Sequence, residues 1–566
     1  MRILILGGGV MQLPAVRLAK QKGWTVIVAA AGISREIEAL ADRCERVDLR
    51  DRDAVTRVAR TVQQDGGLDG VFTAGTDFST TVAWVAEKTG LPGIPYEAAL
   101  AATDKAQMRA AFQAQHVPSP RFFTVEAGTA RSGAEPSAVI LPKDFSFPLV
   151  VKPVDNMGAR GVRRVDDERQ LRDALEIALG QSASGQAIVE RYMEGPELSL
   201  DAVIHEGRII VCGVADRHIC FPPYFVEMGH TMPSLLAPEI LRDAEEVFRR
   251  GIRALGITRG AAKGDIKVTP EGAVVGEIAA RLSGGYMSGW TYPFASGVEV
   301  TAAALNIAVG LPPGDLKPKR NWVSAERAFI SIPGKVKTLE GLDRARNVPF
   351  IEELFLRVSA GQRVELPINN MGKCGNLISK APSRSRAVEA VEAAVRSVLV
   401  RLEPADPRTD AYLKGTEQRG FSAFPELSPA TRQRLEKLPP WIGEPSRFSG
   451  RVEDLRILRL PGVETETVRD WHGWTLEQAF LHVLEIGGVL PSDIAPTAVR
   501  PSPGGSPEGR SPEGRTPDGR TPVSLTLGRV FWNALIKGGV QAGVYVIDSL
   551  CAPAGRPKYI VRKWLA

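Results

Sequence analysis

The chain opens on RILIL, apolar after its first residue, followed by three glycines, a segment with helical spacing of apolar positions (LPAVRLAKQKG) and a second apolar run, WTVIVAA. That order predicts strand, turn, helix and strand, the start of a parallel α/β unit. DGVFTAGTD adds a further strand that ends in a polar loop. From ATDKAQMRAAFQAQHVPSPRF onward, a helix leads into a proline-bounded strand, and the later elements alternate in a way neither purely parallel nor purely antiparallel. An α+β region follows from this. Residues 321–404 read as short strands (AERAFISIPG, GNLISKAP) and one strong helix, SRAVEAVEAAVRSVLVRL. Past Pro404 the periodicity weakens. Residues 501–522 repeat a Ser/Thr-Pro-acid-Gly-Arg unit, a composition that cannot bury a core and predicts a flexible linker. WTLEQAFLHVLEIGGVL and GRVFWNALIKGGVQAGVYVID flank it with enough apolar periodicity to pair into one accessory unit.

The 566 residues exceed a single core, and roughly 150 residues per domain gives about three or four units. The pattern divides them at 1–104, 105–320, 321–404 and 405–566. Net charge is +6, and residues 500–566, with ten Lys/Arg against four Asp/Glu, account for the whole surplus. This basic tail lacks interleaved aromatics, so nucleic acid is not expected as a partner. Five cysteines stand without CxxC spacing, against a disulfide framework or a zinc site and in keeping with a reducing cytoplasm. The first residues suit a strand and turn better than a signal peptide, and no uninterrupted apolar run is long enough to span a bilayer. Cytoplasmic localisation and no membrane partner are the expectations.

The glycines of GGGVMQ could bring backbone N–H groups to a phosphate, yet the later glycine of a dinucleotide fingerprint is missing, so a packing turn is the better reading. The middle of the chain carries more chemistry. FPLVVKPVDNMGARGVRRV is a strand delivering Lys152, a loop with Gly158 and Gly161, and another strand. Glycines let backbone amides close over a polyphosphate while an ammonium faces its oxygens. In AIVERYMEGPELSLDAVI a strand ends at Glu190-Arg191-Tyr192-Met193, and Glu197 follows. Free backbone there can read an adenine edge and the later carboxylate can take ribose hydroxyls; an ordinary solvated turn is the plain alternative. In AAKGDIKVTPEGAVVGEIAARLSGG, TPEG makes a tight turn between two strands and sets Asp265 beside Glu277. Paired hard oxygens next to a polyphosphate are what Mg²⁺ requires. Alternation places Glu277, Ala279 and Arg281 on one face.

Taken together, these motifs resemble the ATP-grasp superfamily, over about residues 1–404. The resemblance implies an α/β plus α+β fold: a Rossmann-like pre-ATP-grasp domain, a two-subdomain ATP-grasp domain, a small C-terminal domain and, beyond it, an extra accessory segment. It implies a ligase that activates a carboxylate as an acyl phosphate and passes it to an amine, with ATP and Mg²⁺, or Mn²⁺ in its place. By the same resemblance Lys105 and Lys152 bind phosphates with the Gly158/Gly161 loop, Glu190 and Met193 form the adenine hinge, and Glu197 is the ribose acid. Asp265 and Glu277 become the metal ligands, and Arg281 faces the transferred phosphate and substrate carboxylate. Two departures stand out: the family's common Asn after the second metal acid is Ala279 here, and the other metal acid is Asp265 where Glu is common. Glu-x-Ala-x-Arg resembles the subgroup that ligates L-amino acids into dipeptides. That subgroup's Glu-x-x-His is matched by Glu227 and His230, in a loop between the ribose and metal acids, with Gly285 leaving space for substrate. The partners implied are small-molecule carboxylates and amines, with a homodimer left open. Rival readings are a carboxylase of the purine or biotin type using bicarbonate, and a nucleotide-binding module without turnover.

Overall fold

The computed structural model describes residues 1–127, 141–415, 421–445, 448–492 and 524–552. The predicted linker at 501–522 lies outside them. Strands β1 (Arg2–Leu6), β2 (Thr25–Ala30), β3 (Arg43–Arg46) and β4 (Gly70–Phe72) form a parallel sheet in the order β3-β2-β1-β4. The RILIL run is apolar at consecutive positions because both faces are covered: Ile3 and Ile5 join one core, Leu4 and Leu6 another. A Cβ on Gly8 would lie 2.4 Å from the Gly32 carbonyl oxygen, so the glycines after β1 include a close-packed turn.

A second sheet, antiparallel, has the order β5-β8-β6-β7 from β5 (Phe122–Glu126), β6 (Leu149–Pro153), β7 (Arg163–Val165) and β8 (Gln186–Arg191). The helix Glu168–Gln181 supplies Leu171, Ala174, Leu175 and Ala178 to the core on one face of it.

Downstream come β9 (Glu197–His205), β10 (Arg208–Cys220), β11 (Val226–Met232), β12 (Gly260–Thr269), β13 (Gly272–Ala279), β14 (Val323–Phe329), β15 (Gly334–Glu340), β16 (Ile351–Leu356), β17 (Arg363–Val364), β18 (Gly375–Ala381) and β19 (Leu399–Leu402). Eight of them make one sheet, β13-β12-β9-β10-β11-β14-β18-β16, and the remaining three pair as β17-β15-β19. Because β11 pairs with β14, Met232 opposite Ser324, the large sheet runs across residue 320 without a break. The segment after 320 thus adds three strands to this sheet. The helix Pro238–Ala254 covers one face through Ala244, Val247, Phe248 and Ile252. The opposite face carries the polar residues of the candidate site.

The last sheet is β20-β23-β21-β22, from β20 (Trp441–Ile442), β21 (Leu455–Leu458), β22 (Leu490–Ser492) and β23 (Leu525–Leu527). Residues on both sides of the predicted linker build it. One core runs from Ala325 to Leu550, joining these strands and the helices Leu476–Gly487 and Arg529–Leu550 to the region before residue 404. The second helix is kinked at Gly539, φ 62°. It is long and apolar enough by length and composition to cross a membrane, and 78 % of its apolar window is buried inside the fold, where it serves as a core helix. The aromatic stretch RDWHGW is packed as well: Trp471 and Trp474 lie against this core, and His472 Nε2 accepts the Ile330 N–H at 3.2 Å.

Candidate active site

The exposed-polar face of β9, β10, β12 and β13 forms the floor of a cavity of ≈ 740 Å³, roofed by the β6–β7 loop and walled by the first domain and by β16. Hairpin register decides the floor. The TPEG turn brings Asp265 on β12 beside Glu277 on β13, and a one-residue bulge between Asp265 and Ile266 sets the two directly opposite. The helix Lys105–Ala114 is capped by Asp104, which accepts from the N–H groups of Ala106 and Gln107, and this places Lys105 in the first turn at 4 % exposure. Its Nζ donates to the Asn156 carbonyl at 2.6 Å and stands 3.7 Å from Glu277. Burial alone would raise the Glu277 carboxyl, but the charges of Lys105, Lys263, Lys152 and Arg281 outweigh it and hold it at about 2. Glu277 therefore stays ionised at neutral pH.

Of the residues singled out in the sequence, Lys105, Lys152, Gly158, Glu190, Met193, Glu197, Glu227, His230, Asp265, Glu277, Arg281 and Gly285 all line this one cavity. Gly161 does not. Its φ is +72°, and a Cβ there would meet Pro153 at 2.8 Å and Gln181 at 2.9 Å, so it shapes the base of the loop rather than the cavity surface. Gly158, also at positive φ, accepts the Asn370 N–H at its carbonyl at 3.0 Å, and Arg160 two residues on bonds Asp77 at 2.8 Å. The glycine loop thus touches Asn370, in the segment between β17 and β18, and the first domain together.

Glu190 differs from its expected role. It lies within the ladder of β8, paired to Phe122 on one side and Val150 on the other, and its carboxylate is buried between Arg109 Nε at 2.7 Å and Lys152 Nζ at 2.6 Å. Its side chain is a counter-ion that holds Lys152, and burial is outweighed by those two cations so that its pKa falls. The cavity lining continues after it through Arg191, Tyr192 and Met193. Glu227 and His230 also differ: they sit on strand β11, not in a loop. His230 Nε2 is 3.5 Å from Glu227 and its Nδ1 is 3.2 Å from Glu326, directly opposite on β14. Glu326 is fully buried and accepts from Asn376. Gly285, φ +59°, is the position where a Cβ would fall 2.7 Å from Glu227 Oε1 and 3.0 Å from the His230 ring. The space it leaves is taken by this pair rather than left for substrate.

Arg281 donates from Nε to the Thr76 carbonyl at 2.8 Å and from Nη1 to the Leu282 carbonyl at 2.9 Å. The turn behind it is anchored by Asp201, which accepts from the Ser283 N–H at 2.9 Å and from its hydroxyl at 2.5 Å. Burial pushes the Asp201 carboxyl up to about 6, with the Ser283 hydrogen bonds partly opposing the rise.

Sequence reasoning missed Arg217. From near the C-terminal end of β10 it bonds Glu197, reaches Glu227 Oε2 at 2.8 Å and lies 3.0 Å from Asp265, so one guanidinium links three acids of the site. Lys263 bonds Asp265 and Lys267 is 3.5 Å from Glu197. Strand alternation could have found them, since Lys263, Asp265 and Lys267 share a face at every second position. Arg109 carried no local signal: its partner is 81 residues away.

The metal expectation can be tested on the donors present. Asp265 Oδ1 is buried and has no hydrogen-bond partner among the described residues, and a second carboxylate stands directly across the ladder. An unsatisfied buried carboxylate oxygen beside a second acid fits a divalent cation that binds through one or two carboxylates and fills its remaining positions with phosphate oxygens and water.

Two family models match the chain: the ATP-grasp domain over residues 145–289, and the L-amino acid ligase C-terminal domain 2 over residues 328–403. The chain carries an ATP-grasp domain. Both matched segments contribute to the cavity, the first with its floor and roof and the second with the β16 wall and Asn370. Among curated proteins, the chain is 27 % identical over 370 residues to an uncharacterised protein, y4rH, of Sinorhizobium fredii, covering 64 % of this chain and 75 % of that one. It is 27 % identical over 413 residues to carnosine synthase 1 of Gallus gallus, covering 68 % of this chain and 43 % of that protein. The chain thus spans less than half the length of that carnosine synthase. Among solved structures, the L-amino acid ligase of Bacillus licheniformis superposes with a TM-score of 0.62 at 20 % identity, covering 71 % of this chain and 98 % of that one. Phosphoribosylglycinamide synthetase of Anaerococcus prevotii gives 0.56 at 21 %, over 71 % and 99 %. These two likenesses establish the fold.

Proposed function

We propose that the protein joins the carboxylate of one amino acid to the amine of another, through an acyl phosphate, releasing ADP and phosphate. The observation that carries the reading is the direct pairing of Asp265 with Glu277 on the cavity floor, Asp265 Oδ1 unsatisfied, with Lys105 and Lys152 on one side and Glu227 and His230 on the other. The similarity to part of carnosine synthase 1 and the fold shared with the L-amino acid ligase of Bacillus licheniformis support the substrate class.

Lys105, Lys152 and the backbone of the Gly158 loop would hold the polyphosphate, with Met193 and the adjoining backbone at the adenine and Glu197 at the ribose. Phosphoryl transfer asks mainly for positioning and charge neutralisation. Asp265 and Glu277 would hold Mg²⁺, which when bound draws negative charge off the phosphoryl being transferred. A substrate carboxylate oxygen attacks the γ-phosphorus as the bond to ADP breaks. The amine nitrogen then attacks the acyl carbon, the bond to phosphate breaks, and a proton leaves the nitrogen. Arg281, buried at the cavity and fixed through Nε and Nη1 by the Thr76 and Leu282 carbonyls, would offer Nη2, whose contact is the weak acceptor Met157 Sδ, to the oxyanion of that step. Glu227 and His230 form the acidic end that an ammonium group would enter. An acyl phosphate hydrolyses in water, so the Gly158 loop, fastened to Asn370 and through Arg160 to Asp77, serves to exclude it.

The test is ADP and phosphate release from ATP across a panel of amino-acid pairs, with the product identified by mass. Phosphate release that depends on the amine and yields a new amide supports the ligase. Bicarbonate-dependent release, or nucleotide binding without turnover on any pair, would overturn it.

A further inference from the structure

Ala279 removes the amide oxygen that the family commonly offers after the second metal acid, and the register of the sheet shows where a replacement oxygen sits. Asp265 has two cross-strand neighbours: Glu277 on β13 and, on its other side, Ser199 on β9. Directly paired residues of neighbouring strands project to the same face, so Glu277, Asp265 and Ser199 form one row across the floor. Ser199 lines the cavity, is fully buried, and its hydroxyl oxygen has no hydrogen-bond partner among the described residues. Asp265 Oδ1, next to it in the row, is unpartnered in the same way. Two adjacent buried oxygens without partners are costly unless something occupies the space between them and the cavity. The row's fourth member, Ala215 on β10, offers no oxygen.

We propose that Ser199 Oγ is a ligand of the divalent cation bound with the nucleotide, supplying the neutral oxygen that Ala279 cannot. A hydroxyl is a hard oxygen donor of the kind Mg²⁺ accepts, as the Ser/Thr of a phosphate-binding loop does. With Asp265 and Glu277 it makes a set of two carboxylates and one neutral oxygen on three adjacent strands. The inference rests on the nucleotide-site reading above.

The experiment titrates Mn²⁺ into the full chain in the presence of a non-hydrolysable ATP analogue, following free Mn²⁺ by electron paramagnetic resonance, for the wild type and Ser199→Ala. The expected result is an Mn²⁺ Kd raised about tenfold in the variant, the lower end of what loss of a supporting group costs a metal site. Affinity for the metal-free analogue should be unchanged. The melting temperature of the ligand-free Ser199→Ala protein should hold or rise, because an unsatisfied hydroxyl has been removed, while the extra stabilisation by analogue plus Mn²⁺ shrinks. Ser199→Cys should bind Mg²⁺ weakly and regain binding with Cd²⁺, since a sulfur ligand favours a softer ion. Mn²⁺ binding to Ser199→Ala equal to wild type would overturn the assignment, as would a ligand-free melting temperature that falls together with metal-free nucleotide affinity. A wild type that binds no Mn²⁺ with the analogue would overturn the nucleotide-metal site itself.

Discussion

The two ends of the cavity solve opposite charge problems on one sheet. At the Asp265–Glu277 end, Lys105, Lys152, Lys263 and Arg281 surround the two carboxylates, and the Glu277 carboxyl is kept at about 2. At the Glu227–His230 end, an imidazole lies between two glutamates, Glu326 is wholly buried, and the wall beyond is apolar, with Tyr286 stacked on Phe355 at 4.4 Å. The first end gathers cations around its carboxylates; the second sets an imidazole and two carboxylates beside stacked aromatic rings. Arg217 ties them together, because the same guanidinium bonds Glu197, Glu227 and Asp265. The difference teaches that opposite preferences need no separate domains here. Neighbouring strands of one sheet, offset by a few residues, suffice.

Four measurements would break or sharpen that contrast. Arg281→Ala should lower the rate of amide formation by about 10²–10³-fold, as expected for removing a donor to a developing oxyanion, while an ATP analogue still binds; undiminished ligation would sink the role. Arg217→Met should destabilise the fold by about 3 kcal/mol in denaturant titration, since it strands three acids in a largely buried site, and should weaken both ends of the cavity together. A loss confined to one end would show that the ends are independent. Gly285→Ala forces a positive φ and a contact with Glu227, at a cost of about 1–3 kcal/mol, and should raise KM for the amine while KM for ATP holds. The smallest effect is on the pH dependence of stability. Glu277 has a depressed carboxyl, so its contribution is present above its ordinary 4.5 and lost as pH falls towards about 2. Asp201, raised from 3.8 to about 6, binds its proton more tightly when folded, so its contribution falls as pH rises through that window. Melting temperatures of Asp201→Asn between pH 4 and 6 should lack the decline seen in the wild type.

How much of this was readable in the sequence depended on the distance between partners. Asp265 and Glu277 were legible as neighbours because a four-residue turn brings their strands together, while the one-residue bulge at Gly276 that sets them directly opposite had no mark in the sequence. Lys152 was legible because a strand-to-loop junction delivers it. Glu190 was read as part of the hinge because the cation that claims it, Arg109, comes from a helix in another part of the chain. Arg217 had no local mark at all: a single arginine inside a strand becomes a hub only when β9, β11 and β12 are folded around it. The parallel first domain followed from runs such as RILIL, which two covered faces demand. The sheet closing the C-terminal region did not, since β23 enters between β20 and β21 from far along the chain.

The pairing of β11 with β14 separates the unit of homology from the unit of folding. The ATP-grasp match ends at residue 289 and the next begins at 328, yet the sheet passes between them, His230 facing Glu326. A fragment cut after residue 320 would expose the backbone edge of β11 and leave His230 without its buried carboxylate, inviting strand-to-strand association. The portable piece of this protein is the whole eight-stranded sheet, and any graft, truncation or domain exchange has to carry β14, β18 and β16 with the nucleotide floor.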